Sequence, residues 1–396
     1  MKSGELVKAV ARFKSALKLA PGDIELRMDL ARCFWRTGDL DQAEAALLPA
    51  VEREPGNLLL TSFLVDIYSR MGNWTRLHEE MLRRAHVDYV GAEQTWELCG
   101  VNLLFGVMPE GWDQHEFRWD HKGLTNPKRV FPQPRWNGEN FEGRTLLLHF
   151  EQGFGDTLMF VRYASMVKQL GGTVLLLAQR PLADLVATCP GIDQVIAEGD
   201  PLPPFDVHLP LLSLPFIFRT TLDTVPDAIP YLDVPGTVPN CSALREILAL
   251  SHGRTRIGLS WAGSLVHVRN SQRSISPDQF SHLAALPNVA WHSFQLGTTD
   301  LPFLPGIVSL APLLANFSDT AYALSGMDLL ITVDTAIAHL SGAMGVPTLL
   351  LVSYLPDWRW LMGREDSPWY PSVRIYRQIR ADDWTSVIRQ VLSDLA

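Results

Sequence analysis

No stretch of 18 uncharged apolar residues occurs in the 396-residue chain, so no segment reads as a helix able to cross a bilayer. The opening, MKSGELVKAVARFKSALKLA, carries a charge every few positions and lacks the apolar centre of a signal peptide. Cysteine is scarce, and Cys33, Cys99, Cys189 and Cys241 stand far apart, with neither metal-ligand spacing nor the density of a disulfide scaffold. A reducing, cytoplasmic setting is the expectation. Basic charge is also short: 34 Lys and Arg against 43 Asp and Glu give a net charge of −9, which argues against adhesion to nucleic acid. Missing too is the third glycine of a dinucleotide fingerprint. The run Glu151-Gln152-Gly153-Phe154-Gly155-Asp156-Thr157 holds two glycines but has Met159 where the third would stand, and a nicotinamide enzyme is disfavoured.

What is present is organised by periodicity. At 396 residues, two or three domains are expected. Pro21-Gly22 recurs as Pro55-Gly56, Gly38 as Gly72 and Phe34 as Tyr68, each pair 34 residues apart, which is the tetratricopeptide period. Leu30, Ala31, Phe34, Ala43, Leu47, Ala50 and Pro55 fall at the packing positions of one complete unit. Ala9, Phe13, Ala16 and Pro21 supply a half unit before it, and Leu64 and Tyr68 a decaying one after it. Such an array, assigned to residues 1–90, serves either as a helical spacer or as a peptide-binding surface. Residues 91–142 read as a helical and extended connector containing PKRVFPQPRWNGE.

From Thr145 the pattern alternates. Strands are expected at Thr145–Phe150, Thr173–Ala178, Asp206–Leu209, Arg256–Trp261, Val289–Gln295, Leu329–Val333, Thr348–Val352 and Val373–Arg377. Helices are expected at Asp156–Leu170, Pro181–Ala187, Pro277–Leu286, Ser318–Ser325, after Asp334, and from Asp382. The apolar run Leu209–Phe218 reads as a buried loop or short helix rather than a membrane anchor, since it holds two prolines and no basic flank. The fold class is therefore α/β: N-terminal tetratricopeptide helices followed by two Rossmann-like doubly wound domains, 143–240 and 241–396, with a cleft between them.

The chemistry concentrates in three corners. In Met327–Leu351 a buried strand runs into a helix through Asp334, Thr335 and Ala336, with His339 coming round to the same end. A helix start offers unpaired amides and partial positive charge, so it can hold a phosphate; the simpler role for Asp334 or Thr335 is capping. Asp156 begins the first helix beside Gly153 and Gly155, again as a cleft carboxylate or a cap. Ser260, Gly263 and Ser264 end the strand that opens the second sheet, followed by His267, Arg269 and Arg273, whose guanidinium groups suit phosphate oxygens unless they are merely solvated. Gln295 ends the next strand. The rings of Asp357-Trp358-Arg359-Trp360 and Trp369-Tyr370 either stack on a base or sugar, or pack two domains together or cover a sheet edge.

GFGDT after the first strand, GLSWAGS opening the second sheet, and MDLLITVDTAIAHLSGAMGVP together resemble glycosyltransferase family nine, the heptosyltransferase-like group with the glycosyltransferase-B fold. The whole layout looks like bacterial tetratricopeptide-repeat proteins carrying such a domain, over Glu5–Arg84 and Gly143–Ala396. The resemblance implies inverting transfer from a nucleotide diphosphate sugar, with no metal and no cofactor. It implies Asp156 as base and Asp334, Thr335, Ala336 and His339 at the diphosphate. The residues themselves add Gly153, Gly155, Ser260, Gly263, Ser264, Arg269, Arg273 and Gln295 as candidates for the nucleotide-sugar side. Two departures stand out. A helical array precedes the first sheet, and Ser264–Arg273 offers arginines and a histidine where those enzymes rely on lysine. An acceptor protein recognised through the repeats is one expectation. A non-catalytic nucleotide-binding or scaffold protein that keeps the fold is the competing one.

Overall fold

The computed structural model describes residues 3–86, 92–121, 128–264, 270–297, 304, 306–380 and 382–396. It begins with helices α1 (Ser3–Leu19), α2 (Ile24–Thr37), α3 (Leu40–Arg53), α4 (Leu58–Met71) and α5 (Trp74–His86). The 34-residue period has a visible cause. Gly38 and Gly72 close α2 and α4 in the left-handed conformation, φ 80° and 68°, where a side chain would be strained. Asp23, Asp39 and Asn57 cap the next helix starts with their side chains. Leu30, Ala31, Phe34, Ala43, Leu47 and Ala50 are buried in one cluster with Leu64 and Tyr68. Pro55 is exposed in the turn before α4.

The downstream unit does not decay. α4 and α5 form a second full helical pair, and α6 (Ala92–Leu104) and α7 (Met108–His115) carry the helices into the region read as connector. Among the described residues of that region, 128–142 is the non-helical stretch, with Trp136 N–H donating to the His208 carbonyl at 2.9 Å along the first sheet.

Two all-parallel sheets follow. The first contains β1 (Thr145–His149), β2 (Thr173–Ala178), β3 (Gln194–Ala197) and β4 (Val207–Pro210) in the order β3-β2-β1-β4. The second contains β5 (Thr255–Ser260), β6 (Val289–Ser293), β7 (Val308–Ser309), β8 (Leu329–Val333), β9 (Thr348–Val352) and β10 (Val373–Arg377) in the order β10-β9-β8-β5-β6-β7. Strand order reverses beside β1 in one sheet and between β5 and β8 in the other, which are the places where parallel sheets open a crevice. The expected helix-plus-two-Rossmann architecture is what the chain has.

Several local expectations differ. β3 and β7 are short and poorly buried at their starts, and hydrophobic patterning misses them. The expected helix at Asp156–Leu170 is broken into α8 (Phe154–Phe160), a 3-10 turn and Ala164–Lys168. Arg162 lies in that break and turns inward: its guanidinium donates to the carbonyls of Met159, Pro226 and Trp369 and to Tyr231 Oη. Pro277–Ala285 is 3-10 rather than α, and Leu211–Ile217 is a largely buried short-helix segment. Among the described residues no helix is long and apolar enough to cross a membrane.

Candidate functional site

α8 starts where β1 ends, and the Ala336–Ala343 helix starts where β8 ends. These two starts touch. A Cβ on Gly155 would lie 2.8 Å from His339 Cδ2 and 3.7 Å from Ala336 Cα, so only glycine permits this approach. Leu158, Phe160, Ile337, Trp369 and Tyr370 belong to one hydrophobic cluster that runs through both sheet units.

On the first wall, Asp156 Oδ2 accepts the Gly153 N–H at 2.9 Å, a capping contact, while Oδ1 accepts from Arg359 of the opposite unit. Asp156 thus caps α8 with one oxygen and pairs across to the second sheet unit with the other. Behind it, Glu151 is held by a fully buried Arg118 through two bonds of 2.9 Å, and Arg118 also reaches Ser213 Oγ at 2.8 Å. Burial raises the Glu151 carboxyl, and the arginine acts against that rise.

On the second wall, neither Asp334 nor Thr335 caps the helix: Thr335 is extended, φ −149°, and makes no side-chain capping bond. The first amides therefore keep their capacity for an acceptor. Burial first, then the neighbouring Asp357 charge, pushes the Asp334 carboxyl up to about 6, with Arg273 and Arg359 pulling the other way. His339 is buried, bonds Tyr370 Oη through Nδ1 at 2.9 Å, and stacks on Trp360 with ring centroids 5.1 Å apart. Burial, then the Arg359 charge, lowers its pKa to about 3, so the imidazole is neutral. If Tyr370 donates to Nδ1, the remaining proton sits on Nε2.

At the end of β5, Ser260 is buried opposite Thr332. The Arg273 guanidinium lies over Gly263, 2.7 Å from where a Cβ would be, and its Nε is buried without a hydrogen-bond partner. Ser264 is exposed. Gln295 Oε1 accepts the N–H groups of Trp261 and Ala262 at 3.1 and 2.9 Å, which fixes the loop after β5. His267 and Arg269 lie outside the described residues.

In the segment 354–362 the sequence draws attention to the rings, and the side chain that pairs with Asp156 is the arginine between two of them. The segment lies between the helical array and the cleft. On one side Tyr354 meets Trp74 at 5.2 Å, Trp358 meets Trp112 edge-on at 5.4 Å, and Met362 N–H donates to the Leu104 carbonyl at 3.0 Å. On the other side are Arg359 and Trp360. Of the two roles considered for the rings, packing between units is the one observed. A signal for the arginine does exist in the sequence: it stands between two indoles, two residues after an aspartate.

In the array, a groove of about 310 Å³ is lined by Glu44, Tyr68, Arg76, Glu80 and Arg83, with Tyr68 Oη donating to Glu44 at 3.1 Å. A hollow of about 410 Å³, lined in part by Arg245, Arg256 and Tyr322, opens at the other end of β5, away from the cleft.

Residues 1–60 match the tetratricopeptide repeat model. Protein FlbA of Caulobacter vibrioides is 26% identical over 323 residues, 74% of this chain and 53% of that protein. Two solved structures are similar. A glycosyl transferase family 9 protein from Veillonella parvula is 14% identical, covering 65% of this chain and 97% of its own, with a TM-score of 0.47. The ADP-heptose LPS heptosyltransferase II of E. coli is 11% identical, covering 63% and 97%, with a TM-score of 0.46. The chain spans about half the length of the curated relative it matches, and it carries tetratricopeptide repeats ahead of two parallel-sheet units.

Proposed function

We propose that the chain is a metal-independent, inverting glycosyltransferase that moves a sugar from a nucleotide diphosphate sugar to an acceptor hydroxyl. The observation that carries this reading is the meeting of α8 and the Ala336–Ala343 helix at Gly155 and His339, which brings a carboxylate and an uncapped helix start to one cleft. Asp156 takes the acceptor's hydroxyl proton as that oxygen bonds to the anomeric carbon. The bond from that carbon to the phosphate oxygen breaks, and its electron pair leaves on the nucleotide diphosphate. The Ala336 and Ile337 amides, with Arg273, receive the charge; Arg269 is assigned to this side from the sequence alone. Neutral His339 stands beside them, and Ser260, Gly263 and Ser264 form the adjoining edge. Gly155 keeps the opposing wall close, Gly153 orients Asp156 through its amide, and Gln295 holds the loop after β5.

The acceptor in this reading is a protein or peptide seated on the repeats, whose charged groove is a site for it, and a cytoplasmic setting accompanies it. The test is turnover of a nucleotide-sugar panel, read as donor hydrolysis or transfer. The parent is expected to consume at least one donor, and Asp156→Asn is expected to lose the activity by about 100-fold or more. No consumption by the parent, or equal rates for the two, contradicts the proposal. One observation favours the second reading, a non-catalytic nucleotide-binding or scaffold protein: Arg359 and Trp360 already occupy the cleft. Nucleotide binding without turnover would support that reading.

A further inference from the structure

Among the described residues, the segment Asp357–Trp360 supplies the cation that touches the proposed base. The Arg359 side chain is only 12% exposed; one terminal nitrogen donates to Asp156 Oδ1 and the other to Asp357 Oδ1 at 2.7 Å. The Trp358 ring lies against the guanidinium, 4.3 Å from centroid to Cζ, and Trp360 follows on over His339. Arg359 also acts electrostatically on Asp334 and His339 of the helix start. Its charge therefore reaches both walls while one prong is spent on the carboxylate that must accept a proton. Asp156 has its other oxygen on the Gly153 amide, so neither oxygen is unengaged.

We propose that Arg359 is a donor-binding residue that exchanges partners: the prong that Asp156 holds passes to the donor's phosphate when the donor binds. The inference rests on the reading of the cleft given under Proposed function. The donor's diphosphate carries two negative charges against the carboxylate's one and offers oxygens matched to the guanidinium fork, so it is the stronger acceptor. Asp357 keeps the second prong throughout, and the indoles keep the side chain in place, so only one hydrogen bond changes hands. Donor arrival then releases Asp156 Oδ1 toward the acceptor hydroxyl. The base becomes available only when there is a sugar to transfer. Because Asp156 and phosphate compete for one group, the carboxylate lowers the apparent affinity for nucleotide by the fraction of time it holds Arg359.

Isothermal titration calorimetry of the full chain with a panel of nucleoside mono- and diphosphates tests this without turnover. Asp156→Asn is expected to bind the preferred nucleotide about fivefold more tightly than the parent, since the competitor has lost its charge. Arg359→Gln is expected to bind about 10- to 100-fold more weakly, the loss of one charge-assisted bond, and the double variant to match Arg359→Gln. A gain of affinity in Asp156→Asn cannot come from a misfolded chain, which keeps the test decisive if Arg359→Gln folds poorly. If the parent binds nucleotide and Asp156→Asn binds no tighter, the exchange is wrong while the cleft reading stands. If the parent binds no nucleotide at all, the reading beneath it fails as well.

Discussion

Gly155→Ala should separate the two walls of the cleft. The added methyl would sit 2.8 Å from His339 Cδ2 and 3.4 Å from Nε2, where carbon contacts prefer about 3.5–4.0 Å. The ring cannot swing aside, because Trp360 covers one face and Tyr370 Oη holds Nδ1 at 2.9 Å. Backbone must therefore move by about 0.7 Å or more, a case of overpacking that costs about 1–3 kcal/mol. Gly100→Ala is the control. Gly100 lies in α6 with nothing within 4 Å of its would-be Cβ, so the same substitution should stabilise there by about 0.5–1 kcal/mol. Scanning calorimetry of both variants reads the difference, at about 2–4 °C per kcal/mol for a unit of this size. Gly155→Ala melting at the parent temperature would refute the claim that the two helix starts are in forced contact.

Three further outcomes follow from buried charge. Arg118→Met leaves Glu151 buried without its bidentate partner and should cost about 3–5 kcal/mol, while Arg118→Met with Glu151→Leu should recover much of it; equal thermal stability of single and double variants would contradict this. His149, His292 and His339 have pKa values lowered to about 3, 4 and 3, with burial the largest cause. The unfolded chain takes up these protons near pH 6.5 and the folded chain does not, so their contribution is intact above that pH and is lost as pH falls toward 4, at about 1.4 kcal/mol per unit for each. Denaturant midpoints between pH 7 and 5 should show the fall, and His292→Asn should reduce its slope. Asp334, raised to about 6, is ionised at pH 7 beside the anion cradle, so Asp334→Asn should tighten nucleotide binding more at pH 7.5 than at pH 5.5. A pH-independent effect in calorimetry would remove Asp334 from the site.

Most of the architecture is legible in the sequence because local patterns and tertiary burial agree. Leu330–Val333 and Leu349–Val352 are apolar and are buried, and Gly38 and Gly72 mark helix ends that demand a left-handed residue. Patterning fails where tertiary contacts override it. α5 looks weak as a repeat helix because its apolar positions are few, yet Leu77 joins the repeat core. The helix after Asp156 breaks at Arg162, whose partners Pro226, Tyr231 and Trp369 are distant in sequence. Asp156, Asp334 and His339 draw attention in the sequence because each stands at or just past a strand-to-helix corner. Arg359 stands at no such corner, and its contact with Asp156, 203 residues away, is one that no spacing encodes. Position alone puts Gln295 with the ligand-facing residues, and its side-chain carbonyl serves two loop amides instead.

A crystal structure of the full chain soaked with its preferred nucleoside diphosphate measures the central claim most directly. The account predicts diphosphate density at the Ala336 and Ile337 amides, between α8 and the second sheet, with Arg359 turned from Asp156 to a phosphate oxygen. Density elsewhere, or a cleft still closed by the Arg359–Asp156 pair with nucleotide bound outside it, would contradict it.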